Sequence, residues 1–236
     1  MKKVDIAKYL IKSGLRIDCE FICTGEQIHQ AVISANEALS KLPFNLYQSI
    51  DYKTASSIVG AMFREALANE TGAIVNPIEK GHPDLIPESG KHSTEKELRN
   101  YPKGIEIKTT VGNVTQGSKL KPGASRIDYL CGITWQAHHR EVKALLGLVW
   151  DFCITPEGKM PTITGAFYTD SLFPDDWGVI SGTTGRNTKV TGMRASGITK
   201  MGKGWVVLLN QKNYIEKYEK FLGFNQSQLT LTNNEL

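Results

Sequence analysis

The stretch Ala144–Phe152, ALLGLVWDF, is apolar at nearly every position. A strand with one wet face alternates apolar and polar side chains, so an unbroken run of strand length marks a strand buried on both faces. Thr162–Thr169 and Trp205–Leu209 read as further strands. Helical spacing appears elsewhere. Ile28, Val32, Ala35 and Leu39 recur between Gly25 and Leu42, and Pro43 ends the pattern. A second helix is expected from an N-cap at Thr54 to Ala68, turning Ile58, Val59, Met62, Phe63 and Ala66 to the core. Tyr214, Ile215, Tyr218, Phe221 and Leu222 mark a third, over 212–222. The first 23 residues read as a short helix followed by an extended segment, and residues 225–236 as frayed. The expectation is an α/β fold in one domain over residues 1–236: a mixed central β-sheet flanked by helices.

Composition narrows the function classes. Forty per cent hydrophobic and 22 per cent charged residues are ordinary for a globular chain. The apolar run is too short to span a bilayer, and Met1–Asp5 is not followed by the apolar core of a signal peptide. A cytoplasmic protein with no membrane partner is expected. Cys19, Cys23, Cys131 and Cys153 complete no zinc pattern and read as reduced thiols in or near the core. A net charge of +4 is compatible with a polyanionic partner without requiring one.

Chemistry concentrates between Gly81 and Thr110. Ile105-Glu106-Ile107-Lys108 alternates apolar and charged residues, which places Glu106 and Lys108 on one face of a strand. Asp84 follows Pro83 on an extended segment, and the intervening stretch is long enough to bring it alongside Glu106. Two such carboxylates repel unless a cation lies between them, and hard oxygen donors point to magnesium. A metal there lowers the pKa of bound water, which Lys108 could orient or deprotonate.

Pro83-Asp84 and Glu106-Ile107-Lys108 resemble the two half-motifs of the PD-(D/E)XK nuclease superfamily. In that family a glutamate on the preceding helix often approaches the metals, which makes Glu65 an accessory candidate, with a partly exposed helix glutamate as the alternative. The polar stretch 109–126, with Lys119, Lys121 and Arg126, suits phosphate contacts or an ordinary loop. His138 and His139 are expected on opposite sides of whatever element holds them, and so not to share a metal.

A second stretch, Asp176–Gly192, is rich in glycine, hydroxyls, an amide and two cations. It reads either as a hairpin loop without a partner or as a loop whose side chains bond bases and phosphates. Together with Glu106-Ile107-Lys108-Thr109-Thr110 it resembles the EcoRV-like type II restriction endonucleases over roughly residues 75–210. That resemblance implies a restriction-endonuclease-like core, magnesium held by Asp84 and Glu106 with help from the Ile107 carbonyl, and catalysis by Lys108. It also implies double-stranded DNA read by Thr183, Thr184, Gly185, Arg186, Asn187, Thr188 and Lys189, with Arg194 nearby, and a homodimer cutting a palindromic site. Residues 1–70 have no match in it and stand as a helical part open to a role in dimerisation; 211–224 close the chain as a helix. A repair or junction-resolving nuclease, a DNA-binding module without catalysis and a small-molecule phosphohydrolase remain the alternatives at this point.

Overall fold

The computed structural model describes residues 9–156, 158–181 and 189–224. Residues 9–24 are β rather than helical: β1 (Tyr9–Ile11), then a hairpin of β2 (Arg16–Asp18) and β3 (Ile22–Thr24). Thr24 closes the hairpin and caps the next helix. Its hydroxyl accepts from the Gln27 N–H while the Gln27 side chain accepts from the Thr24 N–H, a capping box that starts α1 (Gly25–Ser40). The four apolar positions that predicted α1 are all buried, and so is Asn36. Asn36 accepts from the Ile163 N–H and donates to the Tyr9 hydroxyl, so one amide ties α1 to two strands.

After α2 (Phe44–Ser49) comes α3 (Tyr52–Thr71), which begins earlier than expected because Asp51, not Thr54, is its cap, accepting from the Thr54 N–H. Gly72, at φ 72°, ends it in the left-handed region. The short strands β4 (Ile74–Val75) and β5 (Leu85–Ile86) pair antiparallel. The polar excursion expected over 89–103 holds one helical turn, α4 (Glu95–Leu98), capped by Thr94. There follow β6 (Ile107–Thr110), β7 (Asn113–Val114), β8 (Leu130–Gly132) and β9 (Gln136–Ala137). The long strands β10 (Leu145–Thr155) and β11 (Gly158–Thr169) come next, then β12 (Thr191–Gly192), α5 (Ala195–Lys203), β13 (Trp205–Leu209) and α6 (Lys212–Leu222).

Five of these strands form one mixed sheet in the order β1-β13-β11-β10-β6, antiparallel throughout except where β6 runs parallel to β10. The double-sided burial expected of the apolar run is observed in β10. Leu146, Leu148, Trp150 and Phe152 join the core under α1 and α3, whereas Leu145, Val149 and Cys153 join the core under α5 and α6. The α/β class and helices on both faces therefore hold. Cys23 and Cys153 are buried and Cys19 partly so, but Cys131 is exposed, which corrects its placement near the core. Among the described residues no helix is long and apolar enough to cross a membrane.

Candidate functional site

The site forms where the β4–β5 hairpin meets the start of β6. Leu85 and Ile105 exchange both backbone hydrogen bonds, at 3.1 and 2.9 Å, which draws Asp84 alongside Glu106 and Ile107. Gly104 makes this approach possible. Its φ is +140° and a Cβ there would lie 2.0 Å from the Leu85 carbonyl oxygen. Asp84 Oδ2 then accepts from the Ile107 N–H at 2.8 Å, and Oδ1 accepts from the Arg64 guanidinium at 2.6 Å. The Glu106 carbonyl accepts from the Leu146 N–H, so the long sheet holds the glutamate backbone in place.

Lys108 Nζ lies 2.5 Å from Glu106 Oε1, the shared face that the alternation predicted. Both Glu106 oxygens are 3.2 Å from His82 Nδ1. Asp84, Glu106 and Lys108 thus converge. Helix α3 closes one side: the Thr109 hydroxyl donates to the Ser56 carbonyl, and Trp150 Nε1 donates to the Ser56 hydroxyl.

Burial works against both carboxylates, and their neighbours separate them. Burial and the negative charge of Glu106 raise the pKa of Asp84. Burial would also raise that of Glu106, but the His82 bond and the Lys108 charge outweigh it and hold the value near about 2. The Glu106 bond in turn raises His82. On acidification the pair therefore takes its first proton at Asp84.

A raised carboxyl pKa means the ionised form is disfavoured in the fold, so this group lowers stability as pH rises through its titration range. Asp84→Asn is neutral at every pH and can still accept from the Ile107 N–H. Its thermal midpoint at neutral pH is expected to equal or exceed the parent's by about 2–4 °C, the scale of 1 kcal/mol for this chain length. A clear fall in the midpoint, followed by circular dichroism, would show instead that the Asp84 carboxylate holds the fold together.

A cleft of about 1230 Å³ opens beside these groups. Lys53, Arg64, Lys80, Lys108 and Lys189 line it against two acidic side chains, Glu79 and Asp84, an excess that suits an anion. Lys53, Ser57, Gly60 and Arg64 fall at helical spacing along one stripe of α3, beside its buried face. This stripe is legible in the sequence once the buried face is known; His82 is not, because residues 82–84 form a bend just before β5 and not the extended segment expected for Asp84. Glu65, by contrast, is exposed and does not line the cleft; α3 turns its neighbour Arg64 towards Asp84.

His138 lines the cleft and His139 does not. Their rings lie 6.2 and 5.9 Å from that of His82, on a bent stretch of backbone. His139 also pairs with Glu141. The second chemical stretch leaves and returns as a hairpin stem: Trp177 bridges Met193, Ser181 bridges Val190, and β12 pairs with β9. Lys189 and Val190 bring that stem to the cleft. Thr183, Thr184, Gly185, Arg186, Asn187 and Thr188 lie outside the described residues. Arg194 is exposed at the start of α5 and does not line the cleft. Asp176 is buried and paired with Lys200 at 2.7 Å, so it anchors the stem.

The donor chemistry fits a hard divalent cation: a half-buried carboxylate, Asp84, that lines the cleft, and a buried one, Glu106, that raises its pKa. Among the described residues no group of three His, Cys, Asp or Glu side chains could hold a metal. A two-carboxylate site leaves the remaining ligands to backbone and water, as magnesium accepts and zinc does not. Compared with family models, curated proteins and solved structures, the chain finds no match.

Proposed function

We propose that this chain is a type II restriction endonuclease that hydrolyses phosphodiester bonds of double-stranded DNA with magnesium, at a short palindromic sequence. The observation that carries the reading is the convergence of Asp84, Glu106 and Lys108, with Asp84 and Lys108 lining a cleft that has an excess of basic side chains and Glu106 buried behind them. Lys53, Lys80 and Lys189 attract and track the DNA backbone. Asp84 and Glu106, with the Ile107 carbonyl, would hold magnesium, which supplies charge neutralisation at the scissile phosphate and a more acidic bound water. Lys108 orients the attacking water through its ammonium, which Glu106 keeps in place, or takes the water's proton in the neutral amine form.

Residues 183–189 read bases from the major groove, with Arg194 as a flanking phosphate ligand. A palindromic site calls for a twofold partner, so the working unit is a homodimer, each copy cutting one strand. The setting of such an enzyme is the cytoplasm, and its target foreign DNA.

Digesting a plasmid of known sequence and sequencing the ends tests this. Magnesium is expected to yield discrete fragments whose termini share one short sequence, and chelator to yield none. Ends scattered over the plasmid would favour a structure-selective nuclease of the same chemistry. Binding without any cut would remove the catalytic reading altogether.

A further inference from the structure

Three basic side chains surround the two carboxylates, and they differ in how readily they can leave when a divalent cation arrives. Arg64 contacts Asp84, while Lys108 and His82 contact Glu106. Two positive charges from arginine and lysine already balance the pair. A divalent ion bound between the carboxylates leaves an excess of positive charge, which a single phosphodiester offsets only in part.

Arg64 is placed to move. Its side chain is 34% exposed, against 23% for Lys108 and 24% for His82, so it returns to solvent at the least cost. It projects from α3, a different element from the strand that carries Glu106 and Lys108, and it lines the cleft. Its Nε is buried without a hydrogen-bond partner, so Asp84 satisfies only part of the fork. A phosphate, with more acceptor oxygens, matches that fork better.

We propose that Arg64 is a displaceable counterion: it neutralises Asp84 in the metal-free enzyme and transfers to a DNA phosphate once a divalent cation takes Asp84. This rests on the metal-dependent nuclease reading above. It implies that cation binding and DNA binding help each other, because the ion that displaces Arg64 frees a phosphate ligand.

Calcium, another hard cation with oxygen preference, is the probe, titrated calorimetrically into the full chain without DNA. Arg64→Gln is expected to bind calcium about tenfold more tightly than the parent, a coupling of ordinary size for competing ligands. Arg64→Lys retains a charge opposite Asp84 and is expected to stay near the parent value. Asp84→Asn should lose calcium binding; if it binds as the parent does, the metal-site reading itself fails. If Asp84→Asn loses binding but Arg64→Gln binds calcium no more tightly than the parent, the metal site stands and the counterion proposal is overturned. Equal tightening in Arg64→Lys and Arg64→Gln would also overturn it, since charge would not be the cause.

The second arm measures affinity for a short random-sequence duplex against salt. In calcium, Arg64→Gln should flatten the slope of log affinity on log salt by about one, the loss of one phosphate contact. In chelator, with Arg64 held by Asp84, the slopes of variant and parent should coincide. A flattening of equal size in both conditions would mean that Arg64 contacts DNA throughout, and that no exchange takes place.

Discussion

Lys108→Ala is expected to slow magnesium-dependent strand cleavage by about 10²–10⁴-fold, the usual contribution of a positioned proton-transfer group. The loss should appear in single-turnover rate, where product release cannot hide it. Residue 108 pairs through its backbone with Gly147 in the β6–β10 ladder, so truncating the side chain leaves the strand intact. What goes is the ammonium 2.5 Å from Glu106.

A second effect follows from the same contact. Lys108 lowers the pKa of Asp84 as well as that of Glu106, so losing it lets Asp84, the first of the pair to take a proton, titrate at a higher pH. Any residual cleavage is then expected to lose its acid limb at a higher pH than the parent. Cleavage by the alanine variant within about tenfold of the parent rate would remove Lys108 from the chemistry, since a general acid–base group contributes more than that.

Asp151→Ala is expected to destabilise the fold by about 3–5 kcal/mol, the range for removing one partner of a fully buried polar network. Asp151 is 4% exposed on the α6 side of β10. Its carboxylate accepts from the N–H groups of Arg126, Ile127 and Phe152 and from the hydroxyls of Ser125 and Tyr214, at 2.8 to 3.1 Å. Burial raises its pKa, and these donors work against that rise. Alanine leaves the donors buried without an acceptor, whereas asparagine keeps one acceptor oxygen and should cost less.

Urea unfolding with an unchanged slope is the measurement, and a loss below about 1 kcal/mol would show that water satisfies the donors. The network also reaches the cleft. It fixes residues 125–127, whose Arg126 guanidinium lies 4.6 Å over the Tyr52 ring and donates to the Gly112 carbonyl. Tyr52 in turn donates to Lys121 and Ala124 at the start of α3, next to the cleft lysine Lys53.

The elements read correctly from sequence are those whose signal is local. Helices α1 and α6 carry a 3.6-residue apolar period that survives any arrangement of neighbours. Strand β10 writes its double-sided burial as an unbroken run. Glu106 and Lys108 share a face because alternation along an extended chain is a property of the backbone. The errors have the opposite character. Tyr9–Ile11 looks weakly helical alone and becomes a strand because Val207–Leu209, far along the chain, offer it hydrogen bonds.

Arg64 and Glu65 show where local reading stops. The two lie side by side at the edge of one apolar stripe, and either could face the carboxylates until the rotation of α3 on the sheet is known. That rotation is set by Val59, Phe63 and Leu67 packing into the core and by Ser56 bonding Thr109 and Trp150. Residue order was enough to pick out the α/β class, the buried strand and the carboxylate–lysine face, since period and side-chain chemistry are written within a few residues. The counterion of Asp84, the grip of His82 on Glu106 and the stripe of α3 that lines the cleft arise from contacts between distant segments. Only packing chooses among the orientations that a single segment allows.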